Sequence, residues 1–115
     1  MKKLLIASLL TTTFAMTPTA SAADSISLRI CEYVSVNDKK RLRGFLKANK
    51  LKLRSIFKNI QCNGQNLLVF AASSNALDVG EMMIGKLSKK IISANIDAIA
   101  AHSAHLAAKA KKRVE

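Results

Sequence analysis

The stretch CNGQNLLVFAASSNALDVGEMMIGKL, residues 62–87, decides the predicted fold. Near its start, Asn63-Gly64 is a turn dipeptide in which both residues accept positive φ. Residues 67–72 are apolar nearly all round, which predicts a short buried helix. Ser73-Ser74-Asn75 interrupts this run, and apolar residues then recur at helical spacing to about Gly85. The stretch therefore predicts a turn, a buried helix, a tight turn and an amphipathic helix.

The segment before this stretch predicts a first pair of helices. Apolar residues recur at helical spacing behind Asp24-Ser25, and Asn37-Asp38 ends this helix after about ten residues. The next helix ends at Ala48-Asn49, because Asn tolerates the left-handed C-cap conformation. A connection follows, with a helical turn around residues 53–58. The apolar positions of the two helices are Ile26, Ile30, Tyr33 and Val34, then Leu42, Phe45 and Leu46.

The two pairs of helices share an apolar pattern. A shift of 37 residues places Ile30 on Leu67 and Leu42 on Val79, and seven apolar positions coincide when Cys31 is counted. Gly80 lies on the side of its helix away from Val79, Met82 and Met83. The sequence therefore predicts an all-α domain of two related helix-turn-helix units.

Two resemblances follow from these residues. Residues 63–84 resemble an ankyrin repeat. The pattern of that repeat is a turn, then Gly, Thr-Pro-Leu-His-x-Ala-Ala and Gly-Asn, and finally a helix with paired leucines. Gln65-Asn66 replaces the Thr-Pro start, and Phe70 or its neighbour Val69 stands at the histidine position. The matching positions are Gly64, Leu67, Ala71, Ala72, Asn75, Asp78, Val79, Met82, Met83 and Ile84. The first unit departs further and would serve as a degenerate cap.

Residues 28–87 also resemble the small exported proteobacterial proteins known as the domain of unknown function 3718 family. The most specific part of this resemblance is Cys62-Asn63-Gly64 followed by Leu67-Leu68 and Phe70-Ala71. The resemblance implies an ankyrin-like helical domain. It brings no assigned activity and no site residues.

The N-terminus predicts a signal peptide. Two lysines precede the apolar run LLIASLL, and Ala20-Ser21-Ala22 supplies an A-x-A cleavage site, so cleavage after Ala22 is expected. The apolar run is too short for a membrane helix, and no later run is long enough, so the mature chain is expected to be periplasmic or secreted without a transmembrane segment. Residues 1–22, 23–87 and 88–115 are predicted as signal peptide, ankyrin-like domain and a basic, alanine-rich C-terminal helix or tail.

Cys31 and Cys62 are the two cysteines of the chain. A disulfide persists outside the cytoplasm, and a domain this small, which buries only about 60–65% of its unfolded surface, benefits from a covalent link. A disulfide is therefore expected. Two buried thiols are the alternative, and a redox-active pair is disfavoured because the cysteines lack Cys-x-x-Cys spacing.

The C-terminal segment is alanine-rich and lacks Gly and Pro after Gly85. It predicts one helix from about Ser88 to Lys109, with its isoleucines near one face. The first half of this helix would cover the second hairpin. From Ala100 onward the apolar residues are mostly alanines, so the end of the helix is expected to project or fray.

A one-signed basic run is the strongest functional signal in the sequence. Removal of residues 1–22, which hold Lys2, Lys3 and no acid, lowers the formal net charge from +12 to +10. A solvated helix face normally mixes signs, but no acid lies within this run, which predicts a surface that binds anions. The residues are Lys39, Lys40, Arg41, Arg43, Lys47, Lys50, Lys52, Arg54 and Lys58.

The expected partner is an anionic envelope component or an acidic protein, and the same charge would allow peripheral contact with a membrane surface. The alternative is a structural module that docks through apolar helix faces, with the charge only for solubility. Nucleic acid is disfavoured because the aromatic residues occupy core positions.

Catalysis is not expected from this sequence. No serine has a recognisable nucleophile turn, and only His102 and His105 could act as a base. Both histidines, and the carboxylates Asp78 and Glu81, are interpreted as structural or solvated groups. The sequence therefore predicts neither a catalytic residue nor a metal or organic cofactor.

Overall fold

A computed structural model of the chain describes residues 22–115. The predicted signal peptide lies outside these residues except for Ala22, at which the first helix begins. The described residues form seven helices and a β-hairpin with two residues in each strand, which confirms the all-α fold class. The elements are α1 (Ala22–Ser35), α2 (Lys39–Ala48), α3 (Leu53–Ile56), β1 (Gln61–Cys62), β2 (Gln65–Asn66), α4 (Leu67–Ser73), α5 (Leu77–Lys86), α6 (Lys89–Ala100) and α7 (Ala104–Val114).

Three helical hairpins stack side by side. The first is α1 with α2, the second α4 with α5, and the third α6 with α7. The first helices pack in a row, α1 on α4 and α4 on α6, and the second helices pack in a parallel row, α2 on α5 and α5 on α7. Each hairpin thus buries its apolar faces against its neighbours, as the units of a repeat array do.

The turns of the first two hairpins have the same geometry. Asn37 (φ 58°) and Asn75 (φ 55°) are left-handed. Each donates its N–H to the carbonyl three residues earlier, and the next N–H bonds the carbonyl five residues earlier, which is the Schellman motif. Because the two asparagines are 38 positions apart, the predicted shift of 37 is wrong by one residue. In the correct register buried residues pair as Ile30 with Leu68, Val34 with Ala72, Leu42 with Gly80 and Leu46 with Ile84.

A third left-handed turn ends α2. The helix ends at Ala48 as predicted, but Asn49 has φ −96° and the left-handed residue is Lys50, with φ 55°. The side chain of Asn49 instead donates to the Phe45 carbonyl at 2.8 Å. The predicted helical turn after it is present as α3.

The side chain of Asn37 joins the first two hairpins. Its Oδ1 accepts the N–H of Val79 at 3.0 Å, and its Nδ2 donates to Asp78 Oδ2 at 3.2 Å. The N-cap residue of α5 is Ala76, whose side chain cannot cap the helix. The first hairpin therefore supplies a cap that the second hairpin lacks.

We expect Asn37→Gly to lower the free energy of unfolding by about 1–2 kcal/mol, because glycine keeps the left-handed turn but leaves a helix N–H without its acceptor. Asn75→Gly is the matched control, since the described residues give the Asn75 side chain no hydrogen bond; its effect should stay within about 0.5 kcal/mol. Urea unfolding of both variants measures the difference. Equal effects would show that the cap contributes nothing.

The prediction of one C-terminal helix is wrong. Residues 101–103 separate α6 from α7, and the hydroxyl of Ser103 caps α7 by accepting the Leu106 N–H at 3.1 Å. The end of the chain does not project, because α7 folds back on α5 and α6 and buries Leu106, Ala107 and Ala110. The small alanine side chains allow this close packing, so the alanine-rich segment forms a third hairpin instead of a tail.

Gly80 lies where α7 packs on α5. An ideal Cβ at this position would lie 2.5 Å from Cδ1 of Leu106, so any larger residue would collide with that side chain. The side of α5 that carries Gly80, opposite Met82 and next to Met83, is therefore an interface with α7. Helix α5 therefore packs on α4 of its own hairpin and on α7 of the third.

The β-hairpin carries a disulfide to α1. Asn63 (φ 53°) and Gly64 (φ 74°) both take the positive φ expected for this turn. Cys62 of β1 is bonded to Cys31 of α1, with the two sulfurs 2.02 Å apart and the two Cα atoms 5.7 Å apart, which confirms the predicted disulfide. Within residues 22–115, no helix is both long and apolar enough to cross a membrane.

Candidate anion-binding groove

A groove with a volume of about 1090 Å³ lies between α2, α5 and residues 51–54, which lead into α3 and are called the α3 segment below. It is open to solvent, and its lining is predominantly apolar. It forms where α2 and α5, the second helices of adjacent hairpins, lie side by side. Its volume slightly exceeds the usual range for small-molecule sites, about 300–1,000 Å³.

Helix α2 provides one wall through a single face. Apart from Leu46 at the floor, this wall consists of Lys39 and the residues one, four, five and eight positions after it. Residues at these spacings lie on one face of a helix. The helix begins at a capped end, where Asp38 accepts the N–H of Arg41 at 3.0 Å. The lining residues of this wall are Lys39, Lys40, Arg43, Gly44, Leu46 and Lys47.

Apolar side chains form the floor, and one glycine lies beside it in each wall. Leu46 and Leu53 are buried, while Leu51 and Met82 are half-buried and present part of their surface to the groove. Gly44 of α2 and Gly85 of α5 also line it, and an ideal Cβ at either position would meet nothing within 4 Å. The two glycines therefore leave open space where any other residue would fill it.

The rim is entirely cationic. The described residues that line the groove include seven lysines and arginines and no acid. The acid nearest in sequence, Asp38, makes a 3.4 Å ion pair with Arg41, which does not line the groove. The rim residues are Lys39, Lys40, Arg43, Lys47, Lys52, Arg54 and Lys86.

The groove brings together part of the predicted basic run. Six of its nine residues line the groove, and Arg41, Lys50 and Lys58 do not. Lys86 lines it too and was missed, because it lies on α5 and no pattern in sequence links it to α2. Met82 is half-buried at the floor of the groove, whereas its neighbour Met83 is fully buried.

Arg54 holds the base of the groove together. Its Nε donates to the Lys86 carbonyl at 3.1 Å, which places a cation at the C-terminal end of α5. A cation is favourable there because the last carbonyls of a helix carry partial negative charge. This contact fixes the α3 segment against α5, so Arg54 has a structural role besides its place in the rim.

The like charges along α2 disfavour the folding of this helix. Lys39 and Arg43 are four residues apart, as are Arg43 and Lys47, and each like-charge pair at this spacing costs about 0.2–0.5 kcal/mol. Lys39 and Lys40 also lie at the positive end of the helix dipole. Folding alone does not favour this arrangement, so the basic face requires another explanation.

Glu81 and His105, two of the other ionisable groups considered in the sequence, are partners of each other. Glu81 Oε2 lies 2.7 Å from His105 Nε2, and its Oε1 lies 3.7 Å from Lys109 Nζ. The hydrogen bond with His105, helped by the charge of Lys109, holds the pKa of Glu81 below its ordinary value, although desolvation opposes the shift. These contacts connect α5 to α7. Within residues 22–115, no three His, Cys, Asp or Glu residues form a group that could hold a metal ion.

Fold and groove together define a class of protein: a small, disulfide-linked array of helical hairpins with a basic groove. The family model described as Protein of unknown function (DUF3718) matches residues 30–94, more than half of the chain. The chain belongs to this family. The match runs from the core of α1 into α6, so it includes the disulfide and all residues of the groove. No curated protein and no solved structure matches the chain.

Proposed function

We propose that this protein is an exported, non-catalytic binding module that holds an anionic component of the cell envelope, or an acidic protein, in the groove between α2 and α5. The observation that supports this most strongly is the rim of seven cations without a lining acid. Clefts lined by one sign of charge concentrate field lines and raise the local concentration of counter-ions. The cost of like charges on α2 agrees with selection for binding instead of stability.

Export is proposed from two independent features. The N-terminal sequence has the three parts of a signal peptide, with cleavage after Ala22. The Cys31–Cys62 disulfide would persist in the periplasm or outside the cell and is rare in the cytosol. Envelope lipids and acidic wall polymers would be the anions within reach there, so peripheral contact with a membrane surface is part of the same proposal.

The binding experiment uses two variants of equal charge. The rim variant replaces three groove residues, and the charge-matched control replaces three exposed cations that do not line the groove. Each lowers the net charge by three, so long-range attraction is the same in both. The rim variant is Lys39→Gln, Lys40→Gln and Arg43→Gln, and the control is Lys58→Gln, Lys111→Gln and Lys112→Gln.

The probes are phosphatidylglycerol vesicles and soluble polyglutamate, each at low and physiological salt. At about 1 kcal/mol per cation near an anionic surface, the rim variant is expected to lose about 100-fold in vesicle affinity and the control less than about fivefold. Wild-type binding should weaken as salt rises. Equal losses of affinity in both variants would show that net charge alone explains the effect. Unchanged affinity in both variants would reject the proposal that the basic groove binds the anion.

A structural role is the second candidate. Leu28, in the middle of α1, and Val36, in the turn directly after α1, are 62% and 70% exposed. A module that docks through apolar helix faces would use such residues, and its binding would not depend on salt. Capture of a partner that persists at high salt and in the rim variant, and is lost in Leu28→Ser with Val36→Ser, would favour this candidate.

A further inference from the structure

The groove combines two features that a site for a simple polyanion does not need. Contacts to phosphates or carboxylates require only cations and hydrogen-bond donors at the surface. Here the cations form a border around a predominantly apolar depression, with Leu51 and Met82 partly exposed at its floor. A depression of this kind buries apolar parts of a ligand, while the border orients a charged part.

Two glycines in the groove are a second, independent indication that it binds the apolar part of a ligand. Gly44 and Gly85 are exposed residues within helices, where glycine costs about 1 kcal/mol relative to alanine. Neither has a positive φ and neither has a neighbour within 4 Å of an ideal Cβ, so neither a turn nor close packing explains them. Both line the groove, one from each wall. Their common effect is to keep the floor clear over the length of the groove.

From these observations we propose that the groove binds an anionic amphiphile, with its alkyl chain on the floor between Gly44 and Gly85 and its charged head against the rim. The inference rests on the proposed function and specifies its ligand. The lining of α2 from Lys39 to Lys47 extends about 12 Å along the helix, at 1.5 Å per residue. That length accommodates an extended alkyl chain, with cations beside the alkyl chain and at the end of the groove near α3.

The test uses n-alkyl phosphates from hexyl to dodecyl, below their micelle concentrations, with isothermal titration calorimetry on the mature protein with its disulfide intact. Affinity is expected to rise about two- to fourfold for each added methylene until the chain outgrows the groove. Inorganic phosphate should bind far more weakly than decyl phosphate. Decyl glucoside, which has the same chain and no charge, should also bind far more weakly.

Two variants test the floor directly. Gly44→Leu adds a side chain to the groove at a position where a Cβ would meet nothing within 4 Å, and leucine favours the helix, so this variant is expected to remain folded. It should lose at least about tenfold in affinity for decyl phosphate and retain its affinity for polyphosphate. Ala48→Leu, which adds a leucine to the same helix outside the groove lining, is the matched control and should bind both probes as the wild type does. Circular dichroism checks the fold of both.

The outcomes separate this inference from the proposal on which it rests. If affinity does not depend on chain length and Gly44→Leu binds decyl phosphate normally, while the rim variant still loses polyphosphate binding, the amphiphile is excluded and anion binding stands. If decyl glucoside binds as tightly as decyl phosphate, the charged head has no role and the inference is again overturned. If neither the alkyl phosphates nor polyphosphate bind, both proposals fall.

Discussion

We expect the free energy of unfolding to fall by about 3–4 kcal/mol when the disulfide is removed by Cys31→Ala with Cys62→Ala. The bond joins residues 31 positions apart, and the loop it closes in the unfolded chain contains the whole of α2 and α3. Without it, the unfolded chain gains the conformational freedom of that loop. The effect is large relative to the total stability of a small domain, which is about 5–15 kcal/mol.

Guanidinium unfolding of the oxidised wild type, the reduced wild type and the double variant measures this effect. The reduced wild type should unfold near the double variant, because both lack the covalent loop. Cys62 is 3% exposed, so a small packing loss adds to the entropic effect in the alanine variant. Coincident unfolding of the oxidised wild type and the double variant would contradict the prediction.

The second large effect is expected at the contact between α5 and α7. Leu106 is 1% exposed, and Leu106→Ala should lower the free energy of unfolding by about 2–5 kcal/mol because it leaves a cavity against α5. Gly80→Ala should destabilise the wild type by about 1 kcal/mol, because the new methyl collides with Leu106 and the gain in helix propensity only partly offsets this. In the Leu106→Ala background, Gly80→Ala should instead stabilise, since the colliding atoms are gone.

A double-mutant cycle by chemical unfolding measures this change of sign. Gly85→Ala is the control on the same helix, because its Cβ would meet nothing within 4 Å. It should stabilise the wild type and the Leu106→Ala variant equally, by up to about 1 kcal/mol. If Gly80→Ala changes the free energy of unfolding equally in both backgrounds, the effect arises within α5. The close approach of α7 would then not be the reason that residue 80 is glycine.

The second hairpin could be predicted from sequence because its signals are local. The apolar run at residues 67–72 and the recurrence to Gly85 match α4 and α5 to within one or two residues. The positive φ values at Asn63-Gly64 follow from the residue types alone. The register between the first two hairpins could not be predicted in this way. The left-handed residues Asn37 and Asn75 determine it, and the apolar residues match equally well when the shift is one residue shorter.

The third hairpin was missed because its signals are weak. Ser103 caps α7, yet a single serine between alanines does not stand out from an unbroken helical pattern. Alanine predicts a helix but does not indicate whether that helix is buried. Burial of Ala107 and Ala110 depends on the packing of α7 against α5 and α6, which exists only in the folded chain.

The sequence by itself determined the helical class, the turn at Asn63-Gly64 and the one-signed charge of α2. These properties depend on residue type and short spacing. The disulfide was expected because the chain has only two cysteines, and the structure confirms it against the alternative of two buried thiols. Only the tertiary structure decided that α7 returns to cover Gly80, and that Lys86 and Met82 of α5 complete a groove with α2. Both depend on which helix faces meet, and that is determined by the packing of residues distant in the chain.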